Sequence, residues 1–159
     1  MIAAVIEAAG GDAFALPVDI REPATVTAAL EQIRAAWGRL DVLVNNAAAR
    51  DITVKGFEAV VRNNLVGTCA SYGWSPMLEH GGRIVCVTAA MRSGMGGFSH
   101  TAAARGGAVA LTKSLAFERA AHGILINCVA PGTIKTDAMG QYPIPPDTGT
   151  GSIATCSAA

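Results

Sequence analysis

The sequence predicts an α/β protein built on a doubly wound parallel sheet. Compact apolar runs with β-branched residues, such as residues 40–44 (LDVLV) and 83–87 (RIVCV), alternate with longer segments of helical periodicity. The runs are apolar at successive positions, as expected of strands that are covered on both faces. Such alternation indicates βαβ units, whose strands lie parallel because each helix carries the chain back across the sheet.

Local signals place the individual elements. Pro23 suits the first turn of a helix, where its missing N–H costs nothing, and Gly38 suits the end of that helix. Apolar side chains recur at helical spacing between these two residues and again after residue 53. The predicted strands are residues 13–18, 40–44, 83–87 and 123–128, and the predicted helices are residues 2–9, 23–37, 53–80 and 99–121.

Length and composition favour one domain followed by a short tail. The chain has 159 residues, 51% of them hydrophobic, which is enough for one buried core. Residues 141–159 contain three prolines and show little periodicity. We therefore expect a domain over residues 1–140 and a poorly ordered tail over residues 141–159.

Charge and cysteine usage narrow the function classes. The formal net charge is zero, and no basic cluster of the kind that nucleic acid or an acidic membrane surface requires is present in the sequence. No apolar run approaches the roughly 18 residues that span a bilayer. The four cysteines are widely spaced and form no CxxC pair. This favours thiols of a reducing, cytoplasmic compartment over a disulfide set or a metal site.

Polar and small residues follow the predicted strands at the points where those strands end. The carboxyl ends of the strands in an open α/β sheet are the usual place for a ligand. We therefore expect these residues to meet along one edge of the sheet. They are Asp19, Asn45 to Ala48 (NNAA), Thr88 to Ala90 (TAA) and Pro131 to Thr136 (PGTIKT).

In order and spacing these segments resemble the short-chain dehydrogenase/reductase family over about residues 1–140. LDVLVNNAA resembles the family's NNAG motif, NNLVGT its helix motif with a functional Asn, and GGRIVCVTA the strand that delivers the active-site Ser. LTKSLAFERAAHGILINCVAPGTIKT is similar to the family's stretch from the active-site helix through the PGxxxT loop. The resemblance implies a Rossmann-like fold and hydride transfer with NAD or NADP.

The resemblance also implies roles for individual residues. Asp19 and Ile20 would lie beside the adenine, Asn45 and its neighbours would hold the adenosine ribose side, and the loop after Pro131 would hold the nicotinamide carboxamide. The implied catalytic residues are Asn64, Thr88, Thr101 and Arg105. The implied cofactor-binding residues are Asp19, Ile20, Asn45, Ala47, Arg105, Pro131, Gly132 and Thr136.

Purely structural alternatives stay open for several of these residues. Asp19 could cap the helix that begins at Pro23. Asn64 could be a core residue that is satisfied by backbone partners. The Asn45-Asn46 pair and Pro131-Gly132 could be ordinary turns.

The sequence departs from the family pattern at its front. The family's first strand leads into a TGxxxGxG loop, whose glycines let the backbone approach the cofactor pyrophosphate, and no such loop precedes residue 13. In the family, the first and second strands lie between the third and the fourth. We therefore expect a fragment with an incomplete sheet that lacks the first two strands and the last one and exposes strand edges.

A second departure concerns the chemistry. Alignment places Thr101 where the family has its catalytic Tyr and Arg105 where it has Lys, and the Ser position falls on Thr88 or Ala89. An aliphatic hydroxyl does not ionise near neutral pH, so Thr101 cannot act as the acid or base. Arg105 keeps the positive charge. His100, next to Thr101, is a further candidate proton donor, or else a surface or loop His before the helix.

Residues 99–118 (SHTAAARGGAVALTKSLAFE) are similar to a subgroup related to the 2,4-dienoyl-CoA reductases, which also lack the Tyr. The leading hypothesis is an NAD- or NADP-dependent oxidoreductase that acts on an enoyl- or dienoyl-thioester, or on a secondary alcohol or ketone, and that forms a homo-oligomer in its full-length form. The alternatives are a non-catalytic remnant that self-associates through its long helices and a nucleotide-binding module without hydride transfer. A remnant is expected to show no saturable NADH binding.

Overall fold

The computed structural model describes residues 2–48, 54–72, 79–90, 98–132 and 154–156. The helices are α1 (Ile2–Ala8), α2 (Pro23–Trp37), α3 (Val54–Val61), α4 (Thr68–Tyr72) and α5 (Ser99–Arg119), with a π-helical turn at Arg62–Gly67 and a 3₁₀ turn at Ala120–His122. The strands are β1 (Val42–Asn45), β2 (Gly82–Val87), β3 (Ile124–Ala130) and β4 (Ala154–Cys156). No helix among these residues is both long and apolar enough to cross a membrane.

The four strands form one sheet in the order β1-β2-β3-β4. The first three run parallel, and the register aligns Val44 with Val85 and Val85 with Asn127. This confirms the predicted Rossmann-like α/β fold with its parallel sheet. It also brings the carboxyl ends of β1, β2 and β3 to the same edge.

The core lies between the sheet and α5. Burial alternates along β2 and β3, and the side chains on the helix-covered face are at most 3% exposed. On the opposite face Leu125 is 55% exposed and Val44 is 57% exposed. The apolar runs predicted two covered faces, but the described residues cover only one. The buried cluster consists of Ile84, Cys86, Ile124, Ile126 and Cys128.

The predicted strand at residues 13–18 is wrong, because this segment has no regular secondary structure and pairs with no described strand. Side chains anchor it instead. The ring of Phe14 stacks on Trp37 of α2 with centroids 4.6 Å apart, and the Trp37 Nε1–H donates to the Asp12 carboxylate at 2.9 Å. Pro17 also lacks the N–H that a ladder needs.

Two further expectations need correction. The long helical stretch predicted over residues 53–80 is interrupted by the π-helical turn Arg62–Gly67. Tyr72 is the last residue of this stretch that the structure describes. The tail that we expected to be poorly ordered contributes β4, which pairs antiparallel with β3, so the sheet has a strand after residue 140. The outer edge of β3 offers backbone N–H and C=O groups that this pairing satisfies.

Candidate cofactor-binding and active site

A cavity of about 210 Å³ lies at the carboxyl end of β1. Its walls are mostly apolar and come from one face of α2, the end of β1, the segment before α2 and the end of the π-helical turn. Three of the predicted cofactor-binding residues line it together, namely Ile20, Asn45 and Ala47. The spacing of apolar residues along α2 explains its wall, because residues three and four apart share one helix face. The α2 side chains in the wall are Val26, Ala29, Leu30 and Ile33.

Gly67 lines the same cavity and gives it its shape. A Cβ atom at this position would lie 2.9 Å from Cγ1 of Ile20 and 3.0 Å from its backbone oxygen. Ile20 therefore sits directly on the backbone of the π-helical turn. Sequence reasoning missed Gly67 as a site residue, although it belongs to the NNLVGT motif, because only the fold shows what faces it.

We expect Gly67→Ala to lower the free energy of unfolding by about 1–3 kcal/mol, because the added methyl group must displace Ile20. Gly106 in α5 is the matched control, since no atom lies within 4 Å of a Cβ built there. Gly106→Ala should raise stability by about 0.5–1 kcal/mol, the helix preference of Ala over Gly. Urea denaturation of both variants measures this. Equal stability of G67A and the wild type would contradict the close contact.

Asp19 does not line this cavity, and its carboxylate does not cap α2, whose N-cap residue is Glu22. The carboxylate accepts hydrogen bonds from the Arg21 backbone N–H at 3.0 Å and from Arg21 Nε at 2.8 Å. The Thr25 hydroxyl binds the Asp19 backbone, donating to its oxygen at 2.7 Å. The side-chain hydrogen bond from Arg21, helped by the charge of Arg62, lowers the pKa of Asp19 to about 2.

The lowered pKa sets a pH window. An Asp whose pKa is lower in the folded state stabilises the fold above its ordinary pKa of 3.8 and loses this contribution as the pH falls towards 2. We expect Arg21→Ala to return the pKa of Asp19 towards 3.8, as measured by NMR titration of the carboxyl carbon. Arg39→Ala, which removes the separate surface ion pair with Asp41, should leave the Asp19 titration unchanged. An unshifted Asp19 in R21A would contradict the assigned cause.

The ends of β2 and β3 are tied together by backbone and side-chain hydrogen bonds. The Thr88 N–H donates to the Val129 oxygen at 2.8 Å, and the Thr88 hydroxyl donates to the same oxygen at 3.2 Å. The Ala90 N–H donates to the Pro131 oxygen at 3.3 Å. Thr88 is 6% exposed. Its hydroxyl must leave Val129 before it can donate to a substrate.

Arg105 brings a positive charge to this edge of the sheet. It lies one helical turn after Thr101 on α5, so the two side chains share a face. The Arg105 Nη1–H donates to the backbone oxygen of Val87 at 2.7 Å. The guanidinium therefore lies at the carboxyl end of β2, directly before Thr88. Sequence reasoning found Arg105 but not its acceptor, because a main-chain carbonyl leaves no mark in the sequence.

Asn64 lies inside the π-helical turn and is 1% exposed. Its backbone oxygen accepts a hydrogen bond from the Thr68 hydroxyl at 3.1 Å. Single π-helical turns inside α-helices occur frequently at functional sites. α5 packs closely on this turn, since a Cβ on Gly107 would lie 3.0 Å from Cδ2 of Leu65.

His100 is a buried residue of α5 rather than a surface or loop residue. It is 8% exposed, and its ring stacks beside Phe98 with centroids 6.5 Å apart. It shares the buried face of the helix with Ala104, one turn later, whereas Thr101 and Arg105 lie on the neighbouring face. This arrangement directs His100 towards the interior of the domain.

Seven of the predicted residues thus form two groups along one edge of the sheet, and Asp19, Asn64 and Thr101 belong to neither group. The cavity group lies at the end of β1, and the strand-end group of Thr88, Arg105, Pro131 and Gly132 follows β2 and β3. Asn45 connects them, because its Nδ2–H donates to Sγ of Cys86 on β2 at 3.7 Å. Thr136 lies outside the described residues.

Many known proteins are similar to this chain in sequence. The E. coli 3-oxoacyl-(acyl-carrier-protein) reductase FabG is 34% identical over 144 residues, which are 84% of this chain and 59% of FabG. The hydroxy(phenyl)methylsuccinyl-CoA dehydrogenase subunit BbsD of Thauera aromatica is 37% identical over 136 residues, which are 79% of this chain and 54% of BbsD. The chain thus spans somewhat more than half the length of these relatives.

Solved structures show the same fold. The citronellol catabolism dehydrogenase AtuB of Pseudomonas aeruginosa PAO1 superposes with a TM-score of 0.77 at 36% identity, covering 89% of this chain and 62% of AtuB. A short chain dehydrogenase from Burkholderia cenocepacia J2315, solved in complex with NADP, gives a TM-score of 0.79 at 32% identity, covering 86% of this chain and 59% of that protein. The model of the short chain dehydrogenase family matches residues 1–144. This chain therefore belongs to the short-chain dehydrogenase/reductase family.

Proposed function

We propose that this protein is an NAD- or NADP-dependent oxidoreductase that transfers hydride to an acyl thioester substrate. The observation that carries the proposal is the position of Arg105, whose Nη1 lies 2.7 Å from the Val87 oxygen at the end of β2. A positive charge held at the strand ends of an open α/β sheet suits a reaction in which negative charge develops on an oxygen.

The cavity at the end of β1 fits the adenosine part of such a cofactor. Its walls are mostly apolar, which suits a flat adenine ring, and Asn45 and Asn46 provide polar groups in its lining. Ile20 and Ala47 would pack against the adenine side. Pro131 and Gly132 would lie on the nicotinamide side, and the bound cofactor would supply the hydride.

Thr101 favours an enoyl thioester over a ketone as the substrate. Reduction of a ketone leaves an alkoxide that needs a proton from an ionisable group, which an aliphatic hydroxyl cannot replace. Hydride addition to an enoyl thioester instead places negative charge on the thioester oxygen, where Arg105 and hydrogen-bond donors can stabilise it. FabG is named for a 3-oxoacyl thioester and BbsD for a hydroxyl-bearing acyl-CoA. These names support an acyl thioester substrate, whereas the preference for the enoyl over the 3-oxo class rests on Thr101 alone.

NADPH oxidation by crotonyl-CoA and by acetoacetyl-CoA tests the proposal. The wild-type protein should prefer the enoyl substrate. The double variant Thr101→Tyr with Arg105→Lys introduces an ionisable pair at i and i+4 and should shift the preference towards the 3-oxo substrate by about 10²-fold or more. An unchanged ratio of kcat/KM values would show that residue 101 does not select the reaction.

We further propose that the protein forms a homo-oligomer through α3, the π-helical turn and α5. These helices leave large apolar side chains in solvent: Phe57 is 46% exposed, Val66 is 54% exposed and Phe117 is 76% exposed. Phe117→Lys should shift the light-scattering mass towards the monomer. Leu125→Lys, at the open face of the sheet, is the matched control and should not. Equal masses for F117K and the wild type would contradict this interface.

A further inference from the structure

Two cysteines lie side by side in the core, directly behind the candidate site. The register of β2 and β3 aligns Cys86 with Cys128, and the two residues are 1% and 2% exposed. Residues aligned on neighbouring strands extend their side chains to the same face of the sheet. We propose that Cys86 and Cys128 form a two-coordinate thiolate site for a soft d¹⁰ metal ion, a class that includes Cu(I) and Hg(II).

The strand spacing favours an ion over a disulfide. Neighbouring strands lie about 4.7–4.9 Å apart, and the Cβ atoms of aligned parallel residues keep about this separation. A disulfide needs its Cβ atoms about 3.8 Å apart, so it would require the strands to move. Two metal–sulfur bonds of about 2.3 Å each, placed end to end, span about 4.6 Å. An ion therefore fits between the two thiols without a change in the backbone.

The surroundings select the type of ion. Apolar side chains of α5, including Val109 and Leu115, pack against the cluster that contains both cysteines. Within the described ranges no three His, Cys, Asp or Glu side chains lie together as metal ligands. The register also aligns Cys156 of β4 with Cys128, so the test below removes Cys156 to separate two-coordinate from three-coordinate binding. Soft thiolates select soft ions. As each sulfur binds the ion, its thiol proton passes to solvent, and neither the ion nor the sulfur changes oxidation state.

The position of the pair connects it to the candidate site. Asn45 lines the cavity, and its Nδ2–H donates to Sγ of Cys86 at 3.7 Å, so one side chain joins the cavity to the Cys86 thiol. Cys86 precedes Val87, which accepts the Arg105 hydrogen bond, and Cys128 precedes Val129, which accepts from Thr88. An ion at the pair would fix the two strand ends relative to each other.

The test uses the chain with Cys69→Ser and Cys156→Ser, which leaves only the proposed pair. Cu(I), in competition with bicinchoninate, and Hg(II) are titrated separately, with the bound ion counted by native mass spectrometry and its ligands by X-ray absorption. We expect one ion per chain with two sulfur ligands at about 2.3 Å. Cys86→Ser and Cys128→Ser should each weaken binding by about 100-fold or more, because one of only two ligands is lost.

Three results would overturn the site. Binding that survives both serine variants would place the ion elsewhere. A third sulfur in the chain with all four cysteines, removed by Cys156→Ser, would exclude two-coordinate binding. Closure of a Cys86–Cys128 disulfide by diamide in the folded protein would show that the spacing argument is wrong. The X-ray absorption measurement is made on chains that keep both Cys86 and Cys128. It therefore gives the number of sulfur ligands even if the Cys86→Ser and Cys128→Ser variants do not fold.

Discussion

Arg105→Ala is expected to lower kcat/KM for an acyl thioester by at least about 100-fold, the usual loss when a group that stabilises developing charge is removed. The guanidinium lies at the carboxyl end of β2, held by the Val87 oxygen at 2.7 Å, where substrate and cofactor would meet. Arg105→Lys keeps the charge but not the planar fork, so we expect intermediate activity. NADPH oxidation with crotonyl-CoA measures both variants.

Lys113 provides the matched control for this prediction. It lies on the same helix, carries the same charge and is exposed, so Lys113→Ala should leave kcat/KM within about twofold because surface charges contribute little. Circular dichroism must show that R105A is folded, since the variant also loses a hydrogen bond to β2. A folded R105A with wild-type activity would remove Arg105 from the active site.

Ile84→Ala is expected to cost about 2–5 kcal/mol of stability, the range for deleting a buried aliphatic side chain. Ile84 is 1% exposed on the central strand β2, and the register places it between Leu43 and Ile126. A domain is stabilised by only about 5–15 kcal/mol in total, so this one change should remove a large part of it. Urea denaturation followed by circular dichroism measures the loss.

Leu125→Ala is the control for Ile84→Ala. Leu125 lies on the neighbouring strand β3 but extends to the open face of the sheet, where it is 55% exposed. We expect its truncation to cost less than about 1 kcal/mol, because most of its surface is already in water. Equal losses for I84A and L125A would mean that α5 does not cover the face on which the core is assigned.

The sequence predicted best those helices and strands whose structure depends mainly on residues within the element itself. α2 begins at Pro23 and ends before Gly38, whose φ of 74° requires the left-handed conformation that glycine adopts easily. The three parallel strands were predicted from their apolar runs, although the described residues cover only one face of the sheet. Residues 13–18 have an equally apolar run, but a strand also needs a partner, and no pattern within the segment itself reveals whether a partner is present.

The sequence could predict only those parts of the candidate site that are formed by side chains. Ile20, Asn45 and Ala47 were found from motifs, and the fold brings them into one cavity. The contact of Arg105 with the Val87 oxygen and the closeness of Gly67 to Ile20 depend on backbone atoms. Backbone atoms are the same in every residue, so the sequence cannot show which of them will meet.

Transfer of deuterium from nicotinamide-labelled NADPH to crotonyl-CoA tests the central claim most directly. If the strand ends form a hydride-transfer site, mass spectrometry should find one deuterium in the acyl product, formed at a rate that saturates with cofactor and falls at least about 100-fold in R105A. Cofactor binding without deuterium in the acyl product, or label transfer that Arg105→Ala leaves unchanged, would contradict it.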